Sequence, residues 1–408
     1  MILFRRYFWS VVVGVLCLTW PVTARAQYTG EVPILAGPEF FAASARGPFV
    51  IIPTLTLSEE YNDNVFLNNA RRKTDYITHA SPGLRVVMES PGYRLSAGYF
   101  ASAEKYLHQD QLDSLFHTQG LFVEGTYLVT PLVTLSLNDT LVASDFTNTS
   151  SVQGIATGRT RSVGNTLTPG VTWQLSPRTS VQFVGSWALQ RFNSNNAHDS
   201  DVLGLTANLS HDLTPRLRGT VGYYISYVDV EKHAGTTTQS PRAGLSYQFT
   251  PTLTGSVSAG PTFTTGGEDQ VSGAGTASLT QRLAFGSASL SYDRSIAVAG
   301  GLGGPTENQS VAGVVRVTTL AQGLAVDLAP TYTISKSIGT KDNIDVKALR
   351  VVLRVAYQVT PWLGLLASYN FFQQRTETAS TTTGLTVADV DQNRAFLSLQ
   401  FGFPIRRD

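Results

Sequence analysis

The stretch Leu349-Arg350-Val351-Val352-Leu353-Arg354-Val355-Ala356-Tyr357-Gln358-Val359-Thr360-Pro361 decides the fold. Leu349, Val351, Leu353, Val355, Tyr357 and Val359 occupy every second position, with Arg350, Arg354 and Gln358 between them and only Val352 and Ala356 interrupting the polar side. Extended backbone sends successive side chains to opposite sides, so this segment has one greasy face and one largely polar face. It ends at Thr360-Pro361, where proline pre-sets φ for a tight turn and the preceding hydroxyl can bond back to the backbone. Such a strand suits lipid on one side and water or polar neighbours on the other.

The same unit recurs toward the amino end. Val129-Thr130-Pro131, Leu175-Ser176-Pro177, Leu213-Thr214-Pro215 and Phe249-Thr250-Pro251 repeat the turn, and weaker turns stand at Ser90-Pro91-Gly92, Phe285-Gly286 and Gln322-Gly323. Tyr127, Trp173, Tyr247 and Tyr357 each precede a turn hydroxyl by three residues, which puts the ring on the apolar face. At that height they predict an interfacial aromatic girdle, since amphipathic rings favour a membrane boundary. Between turns the alternation continues: Leu203, Leu205, Ala207 and Leu209 against Gly204, Thr206, Asn208 and Ser210, for example.

A sheet edge left open in lipid would strand its backbone groups, so the sheet must close. Two strands per turn, with one more at each end, predict an all-β, closed, antiparallel up-and-down transmembrane β-barrel of about 18 strands, 16 to 18 being wide enough for an aqueous lumen. The order begins Phe49 to Tyr61 and Thr74 to Glu89, and finishes near Arg394 to Phe403. Longer connections, expected outside the cell, are Asn62 to Lys73, Ser144 to Thr160, Asn193 to Ser200, Glu231 to Gln239, Thr264 to Gln270, Gly300 to Gln309, Ile338 to Ile344 and Thr376 to Ala388.

Export is written at the start. Arg5 and Arg6, an apolar run from Val11 to Trp20 and the small residues of Ala24-Arg25-Ala26 predict a cleaved signal peptide over 1–26. Residues 27–48 read as a periplasmic lead-in or small plug, and 49–408 as the barrel in a bacterial outer membrane. The sole cysteine, Cys17, falls in the leader, so no disulfide or thiolate metal site is expected. Without the leader, 27 basic residues face 29 acidic ones, which gives nucleic acid no bulk attraction. No later uncharged apolar run approaches the length of a spanning helix.

The first strand reads Pro53-Thr-Leu-Thr-Leu-Ser-Glu-Glu-Tyr61-Asn62-Asp63-Asn64-Val65-Phe66-Leu67, and the last Phe396-Leu-Ser-Leu-Gln-Phe401-Gly-Phe403-Pro404. Both resemble the outer-membrane β-barrel porin family of the porin 2 type, associated with exopolysaccharide gene clusters, in which a Tyr-x-Asp-Asn element follows an alternating strand. The resemblance implies a surface location, outer-membrane lipid and the barrel-assembly machinery as partners, and a part in polysaccharide export with periplasmic components. Barrels of this kind commonly finish on an aromatic that the assembly machinery reads. Here Phe401 and Phe403 are the expected signal, although Pro404-Ile405-Arg406-Arg407-Asp408 follows.

The inward face is expected to carry Glu60, Glu89, Glu104 and Glu124 early in the chain, and Arg218, Arg242, Arg282, Arg316, Arg350 and Arg354 later. Two readings follow: opposed acidic and basic sectors that orient a hydrated solute, or charges that pair and stiffen the wall. Glu59, Glu60 and Asp63 lack Ca²⁺-loop spacing and read as a solvated strand end. The histidines are scattered without metal-ligand spacing, and no Ser, His and carboxylate set stands out, so no enzyme and no cofactor is expected. The leading expectation is a channel with a polar lumen. The alternatives are a surface-structural or adhesin-like barrel with a closed lumen and, more weakly, a lipid-modifying enzyme.

Overall fold

The computed structural model describes residues 48–146, 155–156, 159–194, 197–266, 269–298, 305–318, 320–338, 343–380 and 388–407. The expected leader and residues 27–47 lie outside them. The strands are β1 (Phe49–Asn62), β2 (Asp75–Ser90), β3 (Tyr93–Tyr106), β4 (Ser114–Thr130), β5 (Val133–Phe146), β6 (Arg159–Ser176), β7 (Thr179–Phe192), β8 (Ser200–Thr214) and β9 (Leu217–Val230). They continue as β10 (Thr236–Gln248), β11 (Leu253–Thr265), β12 (Gln270–Leu283), β13 (Gly286–Val298), β14 (Pro305–Val317), β15 (Leu324–Ser337), β16 (Asn343–Thr360), β17 (Leu363–Ser380), β18 (Val390–Gly402) and a short β19 (Ile405–Arg407). Each of the first seventeen pairs antiparallel with the next. β18 returns to β1 from Thr54↔Gly402 to Asn62↔Arg394, which closes the 18-strand barrel. The chain breaks at Phe403-Pro404, and β19 resumes the pairing along Phe49–Ile51.

All eight expected turns connect strands at one rim, and the hydroxyls act as read. Thr214 Oγ1 accepts from the backbone N–H of Arg216 (3.2 Å) and Leu217 (3.0 Å), Thr130 and Thr250 each accept from two N–H groups, and Thr360 accepts from Trp362. Gly323 closes the β14–β15 turn at φ +78°, which glycine adopts without strain. Mid-strand prolines leave marks too. The β2–β3, β6–β7, β10–β11 and β14–β15 ladders are interrupted at Pro82, Pro169, Pro241 and Pro330, each lacking an N–H to donate.

The exterior is a band of Leu, Val, Ala and aromatic side chains, with Leu203, Leu205, Leu209, Val221, Leu245 and Val257 among those exposed. Tyr127, Trp173, Tyr247 and Tyr357 all point outward near the turn rim. Trp362 stacks there on both Phe401 (centroids 6.4 Å) and Phe403 (6.1 Å). A second belt stands near the opposite rim, where the Tyr99, Tyr223 and Tyr369 hydroxyls donate to Gln119, Gln239 and Asn393. Two aromatic belts around an apolar band are the surface of a membrane-spanning barrel.

Three expected loops are shorter than read. β10 begins at Thr236 inside the expected Glu231 to Gln239 loop, β14 at Pro305 inside Gly300 to Gln309, and β17 runs to Ser380 inside Thr376 to Ala388. These strand ends carry polar residues on both faces, so the alternation that marks a strand in the apolar band disappears while the ladder continues.

Candidate functional site: the barrel interior

Register fixes which side chains point inward. On β1 the even positions from Val50 to Asn62 face in, and pairing carries that parity around the ring. Glu60, Glu89, Glu104, Glu124, Arg218, Arg242, Arg282, Arg316, Arg350 and Arg354 all fall on the inward side, but they do not form two opposed free sectors. Arg218 is bidentate to Asp212 (2.6 and 3.2 Å), and Arg316 is bidentate to Asp327 (2.6 and 3.2 Å), each across adjacent strands. Asp327 is also in register with Arg354. Glu104 accepts from Thr118 (2.7 Å) and Tyr106 (3.1 Å). Glu89, opposite Arg94 in register, and Arg282 are exposed at the turn rim, while Glu124 is exposed beside Ser96 and Asn138.

One half of the interior is a hydroxyl wall. From β7 to β13 the inward positions are mainly Ser and Thr, linked across strands by Ser210–Thr220 (3.2 Å), Ser240–Thr262 (3.1 Å), Ser256–Ser278 (2.7 Å) and Ser258–Thr276 (2.8 Å). All of these but Ser278 line a cavity of about 590 Å³ together with Gln182, Asn208 and Tyr224. Arg242 is the cation of this cavity: its Nε donates to Ser240 (3.1 Å), and its guanidinium lies 5.9 Å from the Tyr224 ring centre. A wall of hydroxyls and amides offers both donors and acceptors at every height, which matches a solute that carries many hydroxyls.

The other half is packed. Val50, Ile52, Val87, Phe100, Phe372 and Phe396 point inward and are buried, so from β16 through β1 to β4 the inner face is less polar than the largely polar face expected. Arginines lie over inward rings here: Arg394 on Phe396 (4.9 Å), Arg85 on Phe122 (5.5 Å) and Arg350 on Phe372 (5.6 Å). Phe122 and Phe100 lie across the inward Gly98 and Gly120 of the facing strand, where an added Cβ would sit 2.3 and 2.2 Å from a ring carbon.

Of the Glu59, Glu60 and Asp63 cluster, only Glu59 is the solvated residue expected at a strand end. Glu60 is fully buried, accepting from Arg394 Nε (2.6 Å) and Nη2 (3.1 Å), Asn62 (3.0 Å) and His79 (2.8 Å). Gln392 donates to Asn62 Oδ1 and to the Asn64 carbonyl, and Asn393 donates to Asp63 from its backbone and its amide. The Tyr61-Asn62-Asp63-Asn64 motif is therefore a clasp that locks the first strand to the last. Above it, Ile155 and Ala156 of the β5–β6 connection are buried, and Ala156 exchanges two 2.9 Å hydrogen bonds with the Gln374 amide on β17. Leu67, Ala156, Ala348, Phe372 and Val390 close into one apolar cluster, so part of the expected external Ser144 to Thr160 loop folds inward.

Sequence spacing missed several of these meetings. Asp212, Asp327, Arg394 and Gln374 sit on inward parity and could have been counted, but their partners are set by register. His198 and His233, far apart in sequence, meet edge-on at 5.1 Å. Among the described residues no three His, Cys, Asp or Glu side chains converge in metal-binding range.

A family model described as "Putative MetA-pathway of phenol degradation" matches residues 154–280, less than half of the chain. No curated protein matches it. Solved structures of related shape include Pseudomonas aeruginosa OpdO (12% identity, TM-score 0.45, covering 88% of this chain and 97% of that one). Acinetobacter baumannii OccAB4 (12%, 0.44, 88% and 99%) and Pseudomonas aeruginosa OccK5, or OpdH (9%, 0.45, 88% and 100%), are similar to the same degree. At these scores the likeness carries nothing about solute or partner, and none of the matches bears on exopolysaccharide clusters.

Proposed function

We propose that the chain is an outer-membrane channel that passes small, hydroxyl-rich polar solutes along the β7–β13 side of its lumen. The observation that supports this reading is the half-and-half interior, with a hydroxyl-lined cavity of about 590 Å³ opposite a packed wall. Arg242 beside Tyr224 gives that cavity a preference for anionic or sugar-like groups, since a guanidinium and an aromatic face suit them. Reconstituted in planar bilayers, the protein is expected to conduct with anion preference, and Arg242→Glu to reverse the preference toward cations. Silence of the folded protein in every salt would reject the channel. A part in polysaccharide export rests on the first-strand resemblance alone.

The second reading is a closed-lumen surface barrel. It is favoured by the Ala156–Gln374 contact, which brings a connection between strands into the interior. Replacing Gln374 with Ala is expected to raise conductance if that contact narrows an open path, and to leave a shut barrel shut.

A further inference from the structure

Among the described residues, the middle of the apolar band holds one carboxylate, and lipid does not explain it. Asp139 on β5 faces outward, with Leu137 and Leu141 as its same-face neighbours along the strand and Val123 and Leu167 opposite it on β4 and β6. It stands midway between the girdle residues Tyr127 and Trp173, level with Leu135 and Val133, and the polar upper positions Gln119 and Arg161. A carboxylate at that depth is costly against hydrocarbon. Several other outward acids lean on a cation near a strand end: Glu307 on Arg294 (2.9 Å), Asp345 on Lys336 (2.8 Å), Asp391 on Arg375 (2.8 Å) and Asp201 on Arg191. Asp139 instead has an amide. Asn165 Nδ2 on β6 donates to its Oδ1 at 2.7 Å, and both residues are only half-buried.

We propose that this patch is where two copies of the chain meet side by side in the membrane, around a two-fold axis parallel to the membrane normal. Such an axis exchanges left and right while preserving depth. Asp139 of one barrel then faces Asn165 of the other, and the acceptor–donor pair within each wall becomes two pairs across the interface. The surface there has low relief: Gly125 and Pro169 flank Leu137 in register, Ala143 follows Leu141, and Gly185 lies against Pro169, so a second wall can approach closely. The assignment requires only that the apolar band faces lipid and is independent of whether any solute passes.

Leu141 lies between the two polar residues, on the strand of Asp139 and in register with Asn165. The test is oxidative cross-linking in isolated outer membranes, using Leu141→Cys and, on β11 six strands around the wall, the outward Val257→Cys, each in a Cys17→Ser background that removes the single native cysteine. Heat-modifiable mobility on a denaturing gel verifies folding of each variant. Leu141→Cys is expected to give a disulfide-linked dimer several-fold more abundant than Val257→Cys, and the added change Asp139→Leu to remove the excess. Equal cross-linking at both sites, no dimer from folded Leu141→Cys, or an excess that survives Asp139→Leu in a folded barrel would each overturn the proposal. Loss of conductance with the dimer intact would instead count against the channel and leave the interface standing.

Discussion

Glu60 illustrates what a single position can and cannot tell a reader of sequence. Its inward direction follows from parity alone, because Leu55, Leu57, Glu59 and Tyr61 face out. Its environment does not, since Arg394 and His79 arrive by register and the carboxylate ends fully buried. Truncating one member of a buried ion pair leaves the other charge unanswered, so Glu60→Ala is expected to destabilise the barrel by about 3–5 kcal/mol. Denaturant unfolding of the protein in lipid vesicles measures this, and Glu59→Ala, at an exposed outward position one residue away, should change far less.

The hairpin turns were the most legible elements. The turns recur at intervals of roughly forty residues, most with a hydroxyl before proline, and mark a short-range arrangement that needs no distant partner. Thr214→Val should therefore cost about 1 kcal/mol, as two turn N–H groups lose their acceptor while the side-chain volume is kept. Strand ends were less legible, because Thr236 to Gln239 and Thr376 to Ser380 carry loop-like composition on paired backbone. Cross-strand packing was invisible until register was known. Gly98 accepts the Phe122 ring, so Gly98→Ala should destabilise by about 1–3 kcal/mol through overpacking. Adding Phe122→Ala should remove most of that penalty, and a double-mutant cycle on unfolding free energies reads the coupling.

At the scale of the whole barrel, the exterior was readable and the interior only in part. Apolar alternation gave the band, but which inner positions see water depends on a loop that reaches across to β17 and on which inward residues become neighbours around the ring. The two surfaces should respond oppositely to the same substitution. Leu205→Arg, outward in the band, should cost about 2–4 kcal/mol, whereas Thr206→Arg beside it on the hydroxyl wall should cost under about 0.5 kcal/mol and lower conductance. The same vesicle unfolding assay, paired with bilayer recordings, separates them. The seam carries a further consequence. The arginine that answers Glu60 is supplied 334 positions later in the chain, so a polypeptide cut short before β18 keeps only His79 beside that carboxylate and lacks the guanidinium that pairs with it. The seam is thereby completed only once residue 394 is in place beside the first strand.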